Sequence, residues 1–226
     1  SYFTEMSDII NRLEDHVASA RMKTTPVIDF EKNESLKGLD YLDTIYHAIV
    51  NEHPIQLKYR SFKARSANSF IFYPYLLKEY RNRWFVYGVR GNGRILQNLA
   101  LDRIQSLEVL PQEHYIKNTF FDPNTFFDDL VGVTKNTGSV AEKVGFKVAA
   151  AEAPYIITKP IHRSQQVMER LADGSVILEI EVVINHELER VFFGYAEGIQ
   201  VLYPKTLVEL MGRKLKKAAE QYTHSK

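Results

Sequence analysis

The sequence predicts an α+β protein: a small antiparallel β-barrel with helices ahead of it and a small α+β sandwich behind it. Three observations carry that expectation. Residues 4–52 place apolar side chains at three- and four-residue spacing, the period of an amphipathic helix. From Ile55 to Leu110 the period drops to two, in short runs separated by turn-forming residues. Beyond residue 140 strand-like and helix-like patterns alternate to the C-terminus, as in a layered α+β unit.

In chain order, Met6, Ile9, Ile10, Leu13 and Val17 mark a first helix from Thr4 to about Met22, which Pro26 follows. A second helix, Leu39 to Glu52, turns Tyr41, Leu42, Ile45, Ala48 and Ile49 to one side and stops at His53-Pro54. Ile55, Leu57 and Tyr59 then alternate with Gln56, Lys58 and Arg60 in a half-buried strand with a basic outer side. A polar loop holding Lys63 and Arg65 leads to Phe70–Tyr73, and Tyr75–Tyr80 runs on to a turn at Arg81-Asn82. Trp84–Val89 is the next strand, and Gly91-Asn92-Gly93 is a turn because Gly and Asn tolerate positive φ. Ile95–Leu101 and Ile104–Leu110 complete a set of about five short strands, a number and spacing suited to a small barrel.

Phe120 to Asp129 reads as a short helix pair capped at Asp122 with Pro123 in its first turn. Strands are expected at Lys143–Ala149, Val176–Ile184 and Ile199–Leu202, and helices starting near Glu152, over Glu187–Ala196 and over Lys205–Tyr222. Ser164–Leu171 carries a weaker pattern, and Ala172–Ser175 is a hairpin turn. The expected organisation is a helical arm at 1–43, a barrel domain at 44–112, a linker with short helices at 113–139 and an α+β extension at 140–226.

The net charge of +1 is unevenly spread: −4 over residues 1–44, +6 over 45–110 and −1 over 111–226. A basic middle third interleaved with Tyr, Phe and Trp has the composition of a surface that meets phosphates, or of a solvated face balanced by the acidic arm. The absence of cysteine excludes disulfides, thiolate metal sites and a Cys nucleophile, and is compatible with a cytoplasmic protein. No apolar run reaches the length of a membrane-spanning helix. No two histidines stand four residues apart, and neither a phosphate loop nor a Gly-x-Ser-x-Gly elbow occurs. Asp128-Asp129 are neighbours that point apart, which does not suit paired acid/base work. Neither an enzyme nor a bound cofactor or metal is expected.

The candidate ligand-binding residues are the rings Tyr59, Tyr75, Trp84 and Tyr87 with the cations Arg60, Lys63, Arg65, Arg81, Arg83, Arg94 and Arg103. Flat rings stack on bases and Arg binds phosphate in a fork geometry. Trp84 and Val86 share one strand face and Phe85 and Tyr87 the other, so one set packs in the core; Trp84 reads as a core residue. His162-Arg163-Ser164 lines a groove or forms a turn with satisfied hydrogen bonds.

Four stretches, Ile55–Tyr59, Tyr73–Leu77, Arg83–Gly88 and Leu99–Ile104, stand in the order and spacing of the WYL domain, which the sequence resembles. Its name-giving Trp-Tyr-Leu triplet corresponds to Trp84-Phe85-Val86. Pro160–Gln165, Leu171–Ser175 and Val201–Pro204 resemble the C-terminal extension (WCX) that accompanies it. The resemblance implies an Sm-like, SH3-like barrel in a bacterial transcriptional regulator whose WYL domain senses a nucleic acid or small ligand. Such proteins usually carry a winged helix-turn-helix in front, and the helical start at Ser1 is expected to be the edge of a fragment. DNA would be bound through that preceding domain, and a homodimer would meet through the first helix and the extension. Phe85 replaces the family's Tyr, and Ala100 stands where many members have Arg, while Arg103 keeps the second arginine. An accessory nucleic-acid binder or a nucleotide-handling enzyme on the same barrel is the alternative reading.

Overall fold

The computed structural model describes residues 38–91, 93 and 95–223. The expected first helix, the extended Val27–Phe30 stretch and Arg94 lie outside them. After a 3-10 turn at Leu39–Tyr41 comes helix α1, Leu42–Val50. It buries Ile45 and Ala48, one turn apart on the same side. Glu52 ends it in the left-handed region (φ 53), and the His53 N–H returns to the Ala48 carbonyl at 2.8 Å, a helix stop that uses up a free carbonyl.

The first sheet contains β1 (Ile55–Tyr59), β2 (Asn68–Tyr80), β3 (Arg83–Arg90), β4 (Gln97–Ala100) and β5 (Ile104–Val109). All its pairings are antiparallel, in the order β4-β3-β2-β1-β5. The closed barrel expected from these strands is not formed: β4 and β5 are the two edges, and the sheet stays open between them. The 3-10 turn Leu101–Arg103 joins these two edges. Its flanking residues Ala100 and Ile104 are both extended (ψ 129 and 128), so the chain is carried from one edge round to the other without reversing into a hairpin.

Pro74 sits inside β2, where the sequence places a strand end. β1 pairs with β2 no further than Ile55↔Phe72, so at Pro74 one side of β2 has no ladder to supply and the missing N–H costs nothing there. A bulge between Pro74 and Leu76 absorbs the irregularity. The β2–β3 hairpin turns on Arg81 (φ 50) and Asn82 (φ 58), the two positive-φ positions that match the twist of a tight hairpin.

Both faces of this sheet are covered. Ile55, Leu57, Phe72, Val86, Leu99 and Ile104 pack with Ile45 and Ala48 of α1, and Trp84 joins them half-buried, as expected of it. The other face carries Tyr73, Tyr75, Tyr87 and Val89, which pack with Tyr115, Phe121, Phe126, Phe127 and Val133. Residues 115–133 thus form a strap across the sheet. Where a helix pair is expected the strap makes consecutive turns: the Asp122 side chain accepts the Asn124 N–H at 3.0 Å, and its carbonyl accepts the Phe126 N–H at 3.0 Å.

The second sheet contains β6 (Glu142–Val148), β7 (Gln166–Arg170), β8 (Val176–Val182) and β9 (Ile199–Tyr203), in the antiparallel order β7-β8-β6-β9. Helices α2 (Ala153–Thr158) and α3 (His186–Gly194) complete a β-α-β-β-α-β unit, and α4 (Lys205–Thr223) follows. Phe146, Leu178, Ile180, Ile156, Leu188, Phe192, Leu207 and Met211 make its core. His162, 8% exposed, forms a satisfied turn: its Nδ1 accepts the Ser164 N–H at 3.2 Å and lies 2.7 Å from the Ser164 hydroxyl.

Gly88 faces the packed side of the first sheet, and a Cβ there would lie 2.1 Å from the Tyr73 carbonyl oxygen and 2.7 Å from the Phe72 ring. Gly88→Ala is expected to destabilise the protein by about 2 kcal/mol or more. Gly212→Ala, inside α4 with open space around it, is expected to stabilise by up to ~1 kcal/mol; urea denaturation midpoints check both. Burial and the adjacent Arg163 hold the His162 pKa below its usual 6.5. The unfolded chain therefore binds the extra proton first, so His162 contributes stability above pH 6.5 that is lost as pH falls towards its folded pKa. Urea titrations from pH 8 to 5 are expected to show a shallower decline in His162→Gln.

Candidate functional site: a basic groove on the rim of the first sheet

With one face of the sheet under α1 and the other under the strap, the rim is an open surface among the described residues. There the Arg60 N–H donates to the Arg103 carbonyl at 3.1 Å, which holds the loop after β1 against the turn before β5. Between them lies a groove of about 310 Å³ lined by Arg60, Ser61, Phe62, Asp102, Arg103, Ile104 and Gln105. Period-two alternation explains the placement: Leu57 and Tyr59 point into the core, so the chain leaves β1 with Arg60 outward.

The chemistry of the groove is that of cations beside an exposed ring. Phe62 is 74% exposed, and the Arg103 guanidinium stands 4.4 Å from its ring centroid, covering one face and leaving the ring free to stack further. Arg83 reaches Asp102 at 3.4 Å. Two buried atoms at this turn have no hydrogen-bond partner, Asp102 Oδ1 and Arg103 Nε. Tyr59 lies beneath, buried, and its hydroxyl pKa is raised by that burial against the lowering effect of Arg103.

A model of the WYL domain matches residues 40–109, and a model of the WCX domain matches residues 141–219. The chain joins a WYL domain to a WCX domain. Among solved structures it is similar to proteasome accessory factor B/C (PafBC) of Arthrobacter aurescens, at 17% identity and a TM-score of 0.36 over 82% of this chain and 28% of that one. It is also similar to a CRISPR Cas-related protein, at 14% identity and a TM-score of 0.49 over 82% of this chain and 53% of that one. The chain therefore spans about a quarter and about half of those two lengths. No curated protein sequence matches it.

Within the WYL domain the sequence-selected residues fall into separate places. Arg60 and Arg103 line the groove, Arg83 meets it through Asp102, and Tyr59 supports its floor. Lys63 and Arg65 are exposed on the loop that follows. Arg81 lies at the hairpin turn, 5.5 Å from the Tyr80 ring centroid, and is not part of the groove lining. Trp84 is packed on the α1 side. Tyr75 and Tyr87 lie under the strap: the Tyr75 hydroxyl donates to the Ile116 carbonyl at 2.9 Å, and the Tyr87 hydroxyl donates to the Val133 carbonyl. Burial drives the Tyr87 pKa well up. Phe62 and Asp102 were not singled out from the sequence, although an aromatic side chain in the polar Arg60–Ser69 loop is a signal for the first.

The strap also joins the WYL and WCX domains. Asn185 caps α3 by accepting the Leu188 N–H at 2.9 Å, while its amide donates to the Val131 and Thr134 carbonyls at 2.9 and 3.0 Å. Thr134 donates to Glu187 at 2.8 Å, and Arg163 meets Asp128 at 2.6 Å. A smaller crevice of about 200 Å³ lies beside the strap between Leu96, Asn98, Phe126 and residues 135–139. Its cation, Lys135, is held by Asp129 at 2.8 Å, so it gathers no net charge. Among the described residues no cluster of three or more His, Cys, Asp or Glu could hold a metal, and no helix is long and apolar enough to cross a membrane.

Tyr87→Phe removes a buried hydrogen bond and is expected to cost about 1 kcal/mol. Phe62→Ala is expected to change stability by less than about 0.5 kcal/mol, because an exposed ring leaves no cavity. Chemical denaturation of the two variants checks the contrast between a packed strap face and an open rim.

Proposed function

We propose that the WYL and WCX domains form the effector-sensing part of a bacterial transcriptional regulator, in which the rim groove binds a nucleic acid or nucleotide-like effector through its phosphates. The observation that carries this reading is the groove lined by Arg60 and Arg103 beside the exposed ring of Phe62, with Arg83 paired to its Asp102. Guanidinium groups bind phosphate oxygens in pairs, and an exposed ring stacks a base without regard to sequence. Lys63 and Arg65, exposed on the adjoining loop, extend the cationic track. The regulator acts in the cytoplasm as a homodimer and binds DNA through a further domain, and the sensing domains work without catalysis. An effector shifts that output only by binding one arrangement of the regulator more tightly than another.

A short single-stranded thymidine oligonucleotide tests the site. Replacing Arg83 and Arg103 together by Ala is expected to weaken its binding by about 100-fold or more, since each charge-assisted contact is worth roughly 1.5–3 kcal/mol. The melting temperature is expected to stay within a few degrees; Arg60→Ala, an exposed position, gives a second variant with the fold intact. Three phosphate contacts imply that log affinity falls with log salt at a slope of about −2. Undiminished binding by both variants, or a flat salt dependence, contradicts the reading.

A further inference from the structure

Asp102 is the one carboxylate in the groove lining, and it stands against the guanidinium groups that an incoming phosphate would use. Its Oδ2 lies 3.4 Å from Arg83, its neighbour Arg103 points to Phe62, and its side chain is 17% exposed. Its Oδ1 is buried without a hydrogen-bond partner, and so is Arg103 Nε. A carboxylate anchored only to hold a structural turn would be expected to have both oxygens satisfied. Here one oxygen is matched to an arginine and the other is left over, next to a guanidinium with a donor left over.

Resting on the groove as the effector site, we propose that Asp102 is its specificity-determining residue, tilting it towards singly charged phosphodiesters by offsetting part of the extra attraction that the arginines would exert on a second phosphate charge. A phosphate held by Arg83 would lie close to the Asp102 carboxylate, because that carboxylate stands 3.4 Å from the Arg83 guanidinium, well inside the screening length of physiological salt. The repulsion from Asp102 is felt twice by a dianionic terminal phosphate and once by a diester. Internal phosphates of a nucleic acid strand, or cyclic diesters, therefore gain on mononucleotides with a free terminal phosphate, relative to what the arginines alone would give.

Thymidine 5′-monophosphate and its methyl ester differ in that second charge and one methyl group, and both can be titrated as competitors against a labelled thymidine oligonucleotide. Asp102→Asn keeps an acceptor towards Arg83 while removing the charge. It is expected to shift the ratio of the two affinities by about tenfold towards the monoester, the order given by one charge at close range in a partly solvated groove. Asp102→Ala is expected to shift it the same way and Asp102→Glu to leave it within about twofold, with melting temperatures confirming which variants are folded. If Asp102 merely positions Arg83, Asn and Ala weaken both competitors equally and the ratio stays put, which overturns the proposal. Failure of both competitors to displace an oligonucleotide that still binds also overturns it. Failure of the oligonucleotide itself to bind wild-type protein instead removes the reading of the groove on which the proposal rests.

Discussion

Val131 and Val133 are two residues apart in sequence and buried in two different hydrophobic cores. Val131 belongs to the core of the WCX domain and Val133 to the strap-covered face of the WYL sheet. Gly132 between them has φ +93, and a Cβ there would lie 2.5 Å from the Glu187 side chain at the start of α3. A residue with a side chain would meet both a strained backbone and a filled space. The two domains are therefore joined by a segment that each of them buries, not by a solvated tether, and the Asn185 cap, which serves α3 and the strap at once, closes the junction.

That arrangement decides where a ligand can meet the WYL sheet. The strap fills one face with Phe121, Phe126 and Phe127 around Tyr87, and α1 fills the other with Ile45 and Ala48. A ligand that entered either face would have to displace several aromatic or aliphatic side chains from water-free contacts. The rim costs no such displacement. There the 3-10 turn that links the two edge strands also presents Asp102 and Arg103 towards Arg60 and Phe62, so the connection between the edges is the feature that builds the groove.

Much of the fold was legible in the sequence where one period dominates. α1, β1, β3, β8 and α4 all follow clear alternation or helical spacing. Closure was not legible, because short strands joined by tight turns suit an open sheet as well as a barrel, and only the strand order shows that β4 and β5 are edges. The strap was not legible either: its Phe pairs lack a period, and turns built on Asp122 satisfy the same start signals as a helix. Arg60 followed from strand alternation against Ile55, Leu57 and Tyr59, whereas Arg83 and Arg103 stood out only as cations of the basic middle third. Tyr75 and Tyr87 could not be separated from them, because both faces of β3 are apolar and nothing in a single sequence says which face a distant segment will cover.

The most direct measurement of the account is hydrogen–deuterium exchange of the WYL–WCX chain with and without a short single-stranded oligonucleotide. Slowed exchange at residues 60–63 and 101–105, with the amides of 71–77 and 135–139 unchanged, is the expected result. Protection confined to the strap-side crevice at 135–139, or none at the rim, would contradict the assignment of the effector to the basic groove.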